Sequence, residues 1–204
     1  MPKTEIPGKQ VKDQSVSLTV DVSGLLPINN GGTGQATANA ALNALLPSQT
    51  GNSNKLLQTD GTNTLWATPA SVHVYRQTST QSISALTYTK VNWNGEDWDT
   101  ANEFDLTTDR YTATTAGKRL IICSVYWTSA ANKLFEIVIY KNSNLFKVST
   151  YNPASNNPLT TSISAIIDMA VNDYIEIYVY QEDSGTLNIG QDKSTTFLCI
   201  QKLL

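Results

Sequence analysis

The densest run of reactive side chains lies between residues 96 and 109, where Glu96, Asp97, Asp99, Glu103, Asp105 and Asp109 crowd together. Two carboxylates at the right separation hydrolyse glycosides, one acting as acid and the other as base or nucleophile. Several hard oxygen donors could instead hold Ca²⁺. Trp93 and Trp98 flank the run, and an indole face stacks on a sugar ring as readily as it fills a core. The simpler expectation is a solvated loop in which Asp105 caps a turn, with calcium the one metal these donors would suit. The chain has a single histidine, His73. Any Ser-His or Cys-His nucleophile would have to use it, and a multi-histidine metal site cannot be built within one chain. In a trimer three copies of His73 could converge on the axis; the plainer expectation is a surface or edge-strand histidine. A glycine-rich stretch, Asn30-Gly31-Gly32-Thr33-Gly34, precedes a short helix signal. No Walker lysine follows it and no buried strand leads in, so it is not read as a phosphate cradle. The expectation is a protein without catalytic residues or a cofactor.

The residues that must position any site centre on the stretch Glu103–Trp127. It turns at Ala116-Gly117 and enters a run in which only Ser124 interrupts apolar or aromatic residues from Leu120 to Trp127. Successive strand side chains point to opposite faces, so this run predicts a strand buried on both. One face would lie on the core of its own domain, and a second subunit is the simplest cover for the other. The closing run from Thr195 to Leu203 has the same character.

The 204 residues carry a net charge of −3, which gives no electrostatic reason to expect nucleic acid or an anionic membrane as partner. No apolar run approaches the roughly 20 residues a membrane-spanning helix needs, and no signal-peptide core stands at the N-terminus. Cys123 and Cys199 sit in apolar runs and are expected to be buried free thiols. Residues 1–70 hold seven of eleven glycines, five of seven prolines and one of seventeen aromatics, so the packed core belongs to residues 71–204. The first part cannot bury enough apolar area to offset its ordering entropy alone. Within it, Val16, Leu18, Val20 and Val22 alternate with polar neighbours and predict a lone strand that must dock on something. A helix is predicted from Thr37 to Leu46, ahead of Pro47.

Leu26-Pro27, the Asn30–Gly34 loop, the Ala/Leu helix and the turn from Leu57-Gln58-Thr59-Asp60-Gly61 to Leu65-Trp66 resemble the connector of fibre proteins of tailed bacteriophages. The resemblance covers about 40 residues and implies three parts. These are a virion-attachment segment (1–24, through Val16, Leu18, Val20 and Val22), a connector (25–70) and a distal head (71–204).

The head reads as ten strands: Val72–Gln77, Thr87–Trp93, Arg110–Ala113, Arg119–Trp127, Leu134–Tyr140, Leu145–Ser149, Thr160–Met169, Tyr174–Gln181, Thr186–Ile189 and Thr195–Leu203. Turn signals such as Asn94-Gly95, Asn142-Ser143-Asn144 and Ser184-Gly185 separate them, which predicts an all-β antiparallel sandwich. Phe104-Asp105, Tyr111, Gly117, the strand from Leu120, Ile139-Tyr140-Lys141-Asn142, the run Ala170–Val179 and the closing Phe197–Leu204 occur in the order seen in complement 1q and tumour-necrosis-factor heads, which this region resembles. Thr115 stands where that family has a turn proline, and Leu120 and Ile122 replace its usual aromatics. The resemblance implies a ten-strand jelly roll that trimerises through the sheet containing the strand after Gly117 and the last strand. On that basis Ile121, Cys123, Val125, Trp127, Leu198 and Ile200 are expected at the trimer interface.

These expectations describe a homotrimeric, non-enzymatic surface protein of a bacteriophage virion, made in the host cytoplasm. Its N-terminus would hold other virion proteins, and its head would bind a host-surface glycan or protein. The alternative is a head fibre or cement protein that clamps capsid subunits. Receptor contacts are expected in two loops, Asn94–Asn102 with Glu96, Asp97, Trp98 and Asp99, and Thr150–Thr160 with Tyr151, Asn152, Asn156 and Asn157. Tyr and Trp there offer contact area at low entropy cost, and Asn offers adaptable hydrogen bonds.

Overall fold

The computed structural model describes residues 32–129, 132–155 and 157–203. The expected strand through Val16, Leu18, Val20 and Val22, the Asn30-Gly31 pair and Asn156 lie outside the described residues. The chain divides between Ala67 and Thr68 into two compact units.

In the first unit, helix α1 (Ala38–Leu45) is started by Thr37, whose backbone is extended and whose side-chain oxygen accepts the Ala40 N–H at 3.2 Å. It ends at Leu46, ahead of Pro47. Strands β1 (Leu56–Thr59) and β2 (Thr64–Ala67) form a hairpin. Asp60 builds its turn by accepting the N–H groups of Thr62 at 2.8 Å and Asn63 at 2.7 Å, and these bonds hold its carboxyl below the ordinary range. No described residue of this unit is buried, and Leu42, Leu45, Leu56, Leu57 and Leu65 stand exposed.

The second unit contains β3 (Ser71–Tyr75), β4 (Gln81–Ile83), β5 (Thr89–Lys90), β6 (Gly95–Asp99), β7 (Phe104–Asp105), β8 (Arg110–Thr112), β9 (Gly117–Trp127), β10 (Phe135–Lys141), β11 (Asn144–Tyr151), β12 (Leu159–Met169), β13 (Tyr174–Gln181), β14 (Leu187–Ile189) and β15 (Phe197–Lys202). Nine of the ten expected strands coincide with one of these; the tenth, Thr87–Trp93, is reduced to the two residues of β5, and β4, β6 and β7 are short additions. Two antiparallel sheets result. One runs β4-β14-β9-β15-β3-β6 with β12 along the other side of β9; the second runs β11-β10-β13-β8-β7 with β5 on β13. This is the jelly-roll sandwich expected for the head. Gly117, at φ +130°, makes the turn into β9 in a region of backbone space that side chains disfavour.

Register decides which side of β9 meets the core. Ile121 and Cys123 oppose Ile200 and Leu198 on one flank and Ala165 and Ile163 on the other. All six point between the sheets and are at most 8% exposed. Val125 and Trp127 share that parity and are fully buried, with the Trp127 ring edge-on to Phe135 at 4.8 Å. The expected interface set Ile121, Cys123, Val125, Trp127, Leu198 and Ile200 is therefore corrected: these residues are core of a single chain. The physical reason is parity. Both faces of β9 are apolar, so a one-residue choice of face exchanges core and surface without altering the pattern.

A buried ion pair pins the start of β9. Arg119 and Glu103 are both fully buried at the side chain, with 3.5 Å between Nη2 and Oε1. Arg119 Nε donates to the Tyr111 hydroxyl at 2.6 Å, and its Nη2 donates to the Thr115 carbonyl at 2.7 Å. Glu103 accepts from the Tyr111 hydroxyl and from Thr114, through N–H at 2.8 Å and Oγ1 at 2.7 Å. Burial pushes the Glu103 carboxyl up, but the Tyr111 and Thr114 hydrogen bonds and the Arg119 charge outweigh it and hold it below the ordinary range. Burial and the Glu103 bond push the Tyr111 phenol up.

Candidate functional site

Three of the acidic residues that opened the sequence reading stand on a strand. Asp97, Trp98 and Asp99 lie on β6 with Glu96, where β6 pairs with β3, so the expected recognition loop at 94–102 is corrected to a sheet-edge strand followed by a turn. Alternation of Glu96, Trp98 and their neighbours was too polar to read as a strand. The carboxylates do not converge. Asp97 meets His73 Nδ1 at 3.0 Å and Lys193 Nζ at 3.2 Å, and the Lys193 contact leads in holding its carboxyl below the ordinary range. Asp99 accepts the Phe104 N–H at 2.7 Å, and Asp105 accepts the Thr107 N–H at 2.8 Å as the turn cap expected of it. Asp109 is buried and accepts the Trp93 N–H and the Asn92 amide, each at 2.6 Å. Among the described residues no three His, Cys, Asp or Glu side chains gather as a metal ligand set. Trp93 is core, whereas Trp98 is 47% exposed. Tyr151 closes β11 opposite Phe135 with its side chain exposed, followed by exposed Asn152, with exposed Asn157 beyond.

The structure instead presents two broad faces. On the outside of the β9 sheet, cross-strand partners line up Trp98, His73, Cys199, Ile122 and Ser164 as one row. Tyr75, Phe197, Ser124 and Ser162 form the next. His73 stacks on Trp98 at 4.8 Å and lies 5.9 Å from the Phe197 ring. Ile122 is 43% exposed and Ile166 58%. This side of the sheet is a mixed aromatic and aliphatic surface, with serines on its β9–β12 flank and Ser71 of β3 accepting the Trp98 indole N–H at 2.9 Å. Cys199 lies here while Cys123 faces the core, so the two thiols occupy opposite faces and are free. Cys199 is only partly buried, against the expectation that both would be buried. The polar alternation of β12 (Thr160, Ser162, Ser164) was the sequence signal that could have found this face, because Ser162 pairs with Ser124.

The outside of the second sheet is rich in tyrosine. Along β13, Ile175, Ile177 and Val179 are buried inward, as their alternation implied, leaving Tyr174, Glu176, Tyr178 and Tyr180 outward. Tyr178 packs against Tyr140 of β10 at 4.8 Å, and Tyr180 against Tyr88 at 4.9 Å. The Tyr88 hydroxyl donates to Glu136 at 2.5 Å, which with burial pushes its phenol up to about 12. Glu176 Oε1 receives Lys90 Nζ at 2.6 Å and Arg110 at 3.0 Å from Nε and 2.8 Å from Nη2. Burial raises the Glu176 carboxyl, but those two cations outweigh it and hold it below the ordinary range. The Arg110 guanidinium also lies 3.9 Å over the Tyr174 ring.

Among solved structures the chain is similar to an Eiger TNF from S. frugiperda (14% identity, 68% of this chain and 94% of that one, TM-score 0.54). It is also similar to murine APRIL (13%, 67% and 100%, TM-score 0.54) and to the globular domain of zebrafish complement 1qA (12%, 67% and 98%, TM-score 0.51). No family model and no curated protein matches the sequence. At such identities the likeness shows the fold alone, a jelly roll like those of the tumour-necrosis-factor and complement 1q domains.

Proposed function

We propose that the chain is a homotrimeric, non-enzymatic virion appendage of a tailed bacteriophage, whose head binds the host surface. The observation that carries this reading is a shared deficit. The outer face of the β9 sheet leaves Trp98, Ile122 and Ile166 exposed, and the first unit leaves five leucines exposed with none of its described residues buried. Sister chains would cover both, as the trimer implied by the head resemblance requires, and a solvated stripe of this kind otherwise favours association. The connector residues Gly32-Thr33-Gly34, α1 and the β1–β2 hairpin support the fibre assignment. Asp97, Asp99, Glu103, Asp105 and Asp109 are each engaged by different partners, which supports a binding role over a catalytic one. A second reading, a fibre or cement protein on the capsid, would use the exposed leucines of the first unit as its contact with capsid subunits.

The test is to label phage particles with antibody against the purified chain and to compete their adsorption with that chain. A few copies at the tail and blocked adsorption support the first reading. Hundreds of copies over the capsid with unchanged adsorption select the second, and unlabelled particles overturn both.

A further inference from the structure

The tyrosine face of the second sheet carries more organised aromatic surface than a solvated sheet needs. Tyr140 and Tyr178 form one ring pair and Tyr88 and Tyr180 another, both on the outward side of β10 and β13. Val138, between them in the register opposite Tyr178, is fully buried although its side chain is outward. Neighbouring side chains on that face, with Val148 of β11 directly opposite, therefore cover the strand between the two ring pairs. Beside the Tyr140–Tyr178 pair, Lys90 and Arg110 converge on one oxygen of Glu176. Lys90 is 24% and Arg110 38% exposed at the side chain, whereas Glu176 is 5%. The anion is buried and the cations face outward. Arg110 uses Nε and Nη2 on Glu176, and among the described residues Nη1 has no partner. The neighbouring carboxylates are committed elsewhere: Asp105 to its own turn, Glu136 to Tyr88 and Thr150.

We infer that this face binds an acidic saccharide, an inference that rests on the attachment role proposed for the head. The C–H face of a pyranose is weakly electropositive and suits the negative face of a tyrosine ring. Two ring pairs on one sheet would accept adjacent sugars. A sugar carboxylate standing over the Tyr140–Tyr178 pair would meet the outward donors of Lys90 and Arg110, the second in a planar fork that suits carboxylates. Two cations share one carboxylate there, so the cluster carries a net positive charge that a neutral sugar would not meet, and the charge arrangement selects acidic residues.

The experiment titrates the full chain with two acidic probes, tetragalacturonic acid and α2,8-linked tetrasialic acid, and with neutral maltotetraose, by calorimetry at low and high salt. At least one acidic probe is expected to bind tenfold or more tighter than maltotetraose, and more weakly as salt rises. Tyr140→Leu and Arg110→Gln should each weaken that binding about tenfold, equivalent to about 1.4 kcal/mol. Tyr140→Phe, which keeps the ring, should retain it. Thermal melts of each variant establish that it is folded. The inference is overturned if neither acidic probe binds, if maltotetraose binds equally, or if folded Tyr140→Leu and Arg110→Gln both bind as wild type. Adsorption competition fails or succeeds separately: a chain that blocks adsorption but ignores both acidic probes keeps the attachment role and loses this site.

Discussion

Replacing Ile122 by aspartate separates the two faces of β9. Fully burying an isoleucine side chain gives roughly 1.5–3 kcal/mol. Ile122 is already more than half covered within one chain and 43% exposed. Covering the remainder in a trimer therefore gives about 1 kcal/mol per copy, or about 3 kcal/mol per trimer, at the same coefficient. Losing that term alone weakens assembly by about 150-fold at 1.4 kcal/mol per decade. An aspartate at the same position would in addition lose hydration on assembly, among Cys199, Ser164 and the neighbouring rings, which adds to the loss. Ile122→Asp is therefore expected to run as a folded monomer in sedimentation velocity at micromolar concentration, its melting temperature close to that of the wild-type monomer. Val125→Asp is the contrasting case: Val125 is fully buried between the sheets, so a charge there has no partner and should abolish folding. A trimeric Ile122→Asp with unchanged dissociation would refute the assignment of this face, and a well-folded Val125→Asp would refute the parity.

Arg119→Met leaves Glu103 buried without its cation. The expected cost is about 3–5 kcal/mol, read as a fall of roughly 10 °C in melting temperature for a domain of this size; an unchanged melt would contradict the pairing. Asp173 is held down to about 2 from an ordinary 3.8, first by Lys141 and then by Asn142 and the Ala170 N–H. Its folded value lies below its unfolded one, so its contribution is complete above about pH 4 and is lost as pH falls toward about 2. Asp173→Asn should flatten the acid-side loss of stability in that window, measured by denaturant midpoints at successive pH values, and an unaltered slope would contradict it.

Much of the head was legible because its signals are local. Turn residues such as Asn142-Ser143-Asn144 and alternation in Tyr174–Tyr180 need no tertiary context to be read. Helix α1 was legible for the same reason, Thr37 and Pro47 bounding a run of alanine and leucine. What local signals missed were β4, β6 and β7. They are too short or too polar to show a period, and β6 is a strand because it hydrogen-bonds to β3, which is distant in sequence. The acidic residues were close in the chain but separate in space. Strand β6, the turn after it and the buried end of β8 carry them in different directions, so proximity in sequence did not make a cluster.

The sequence by itself determined that β9 and β15 are apolar on both faces, that the core belongs to the C-terminal two thirds, and that a histidine-based triad has only His73 to draw on. Composition and pattern suffice for those statements because burial scales with apolar content wherever the chain goes. Only the tertiary structure decided which face of β9 is core. The pairing of Ile121 with Ile200 and of Ser124 with Ser162 is a long-range hydrogen-bond register, and a shift of one residue would place Ile122 inside and Ile121 outside. The tyrosine face has the same origin. Tyr140 and Tyr178 are separated in sequence and meet because β10 and β13 are neighbours. Lys90 and Arg110 meet because one buried carboxylate, on a third strand, draws both toward it.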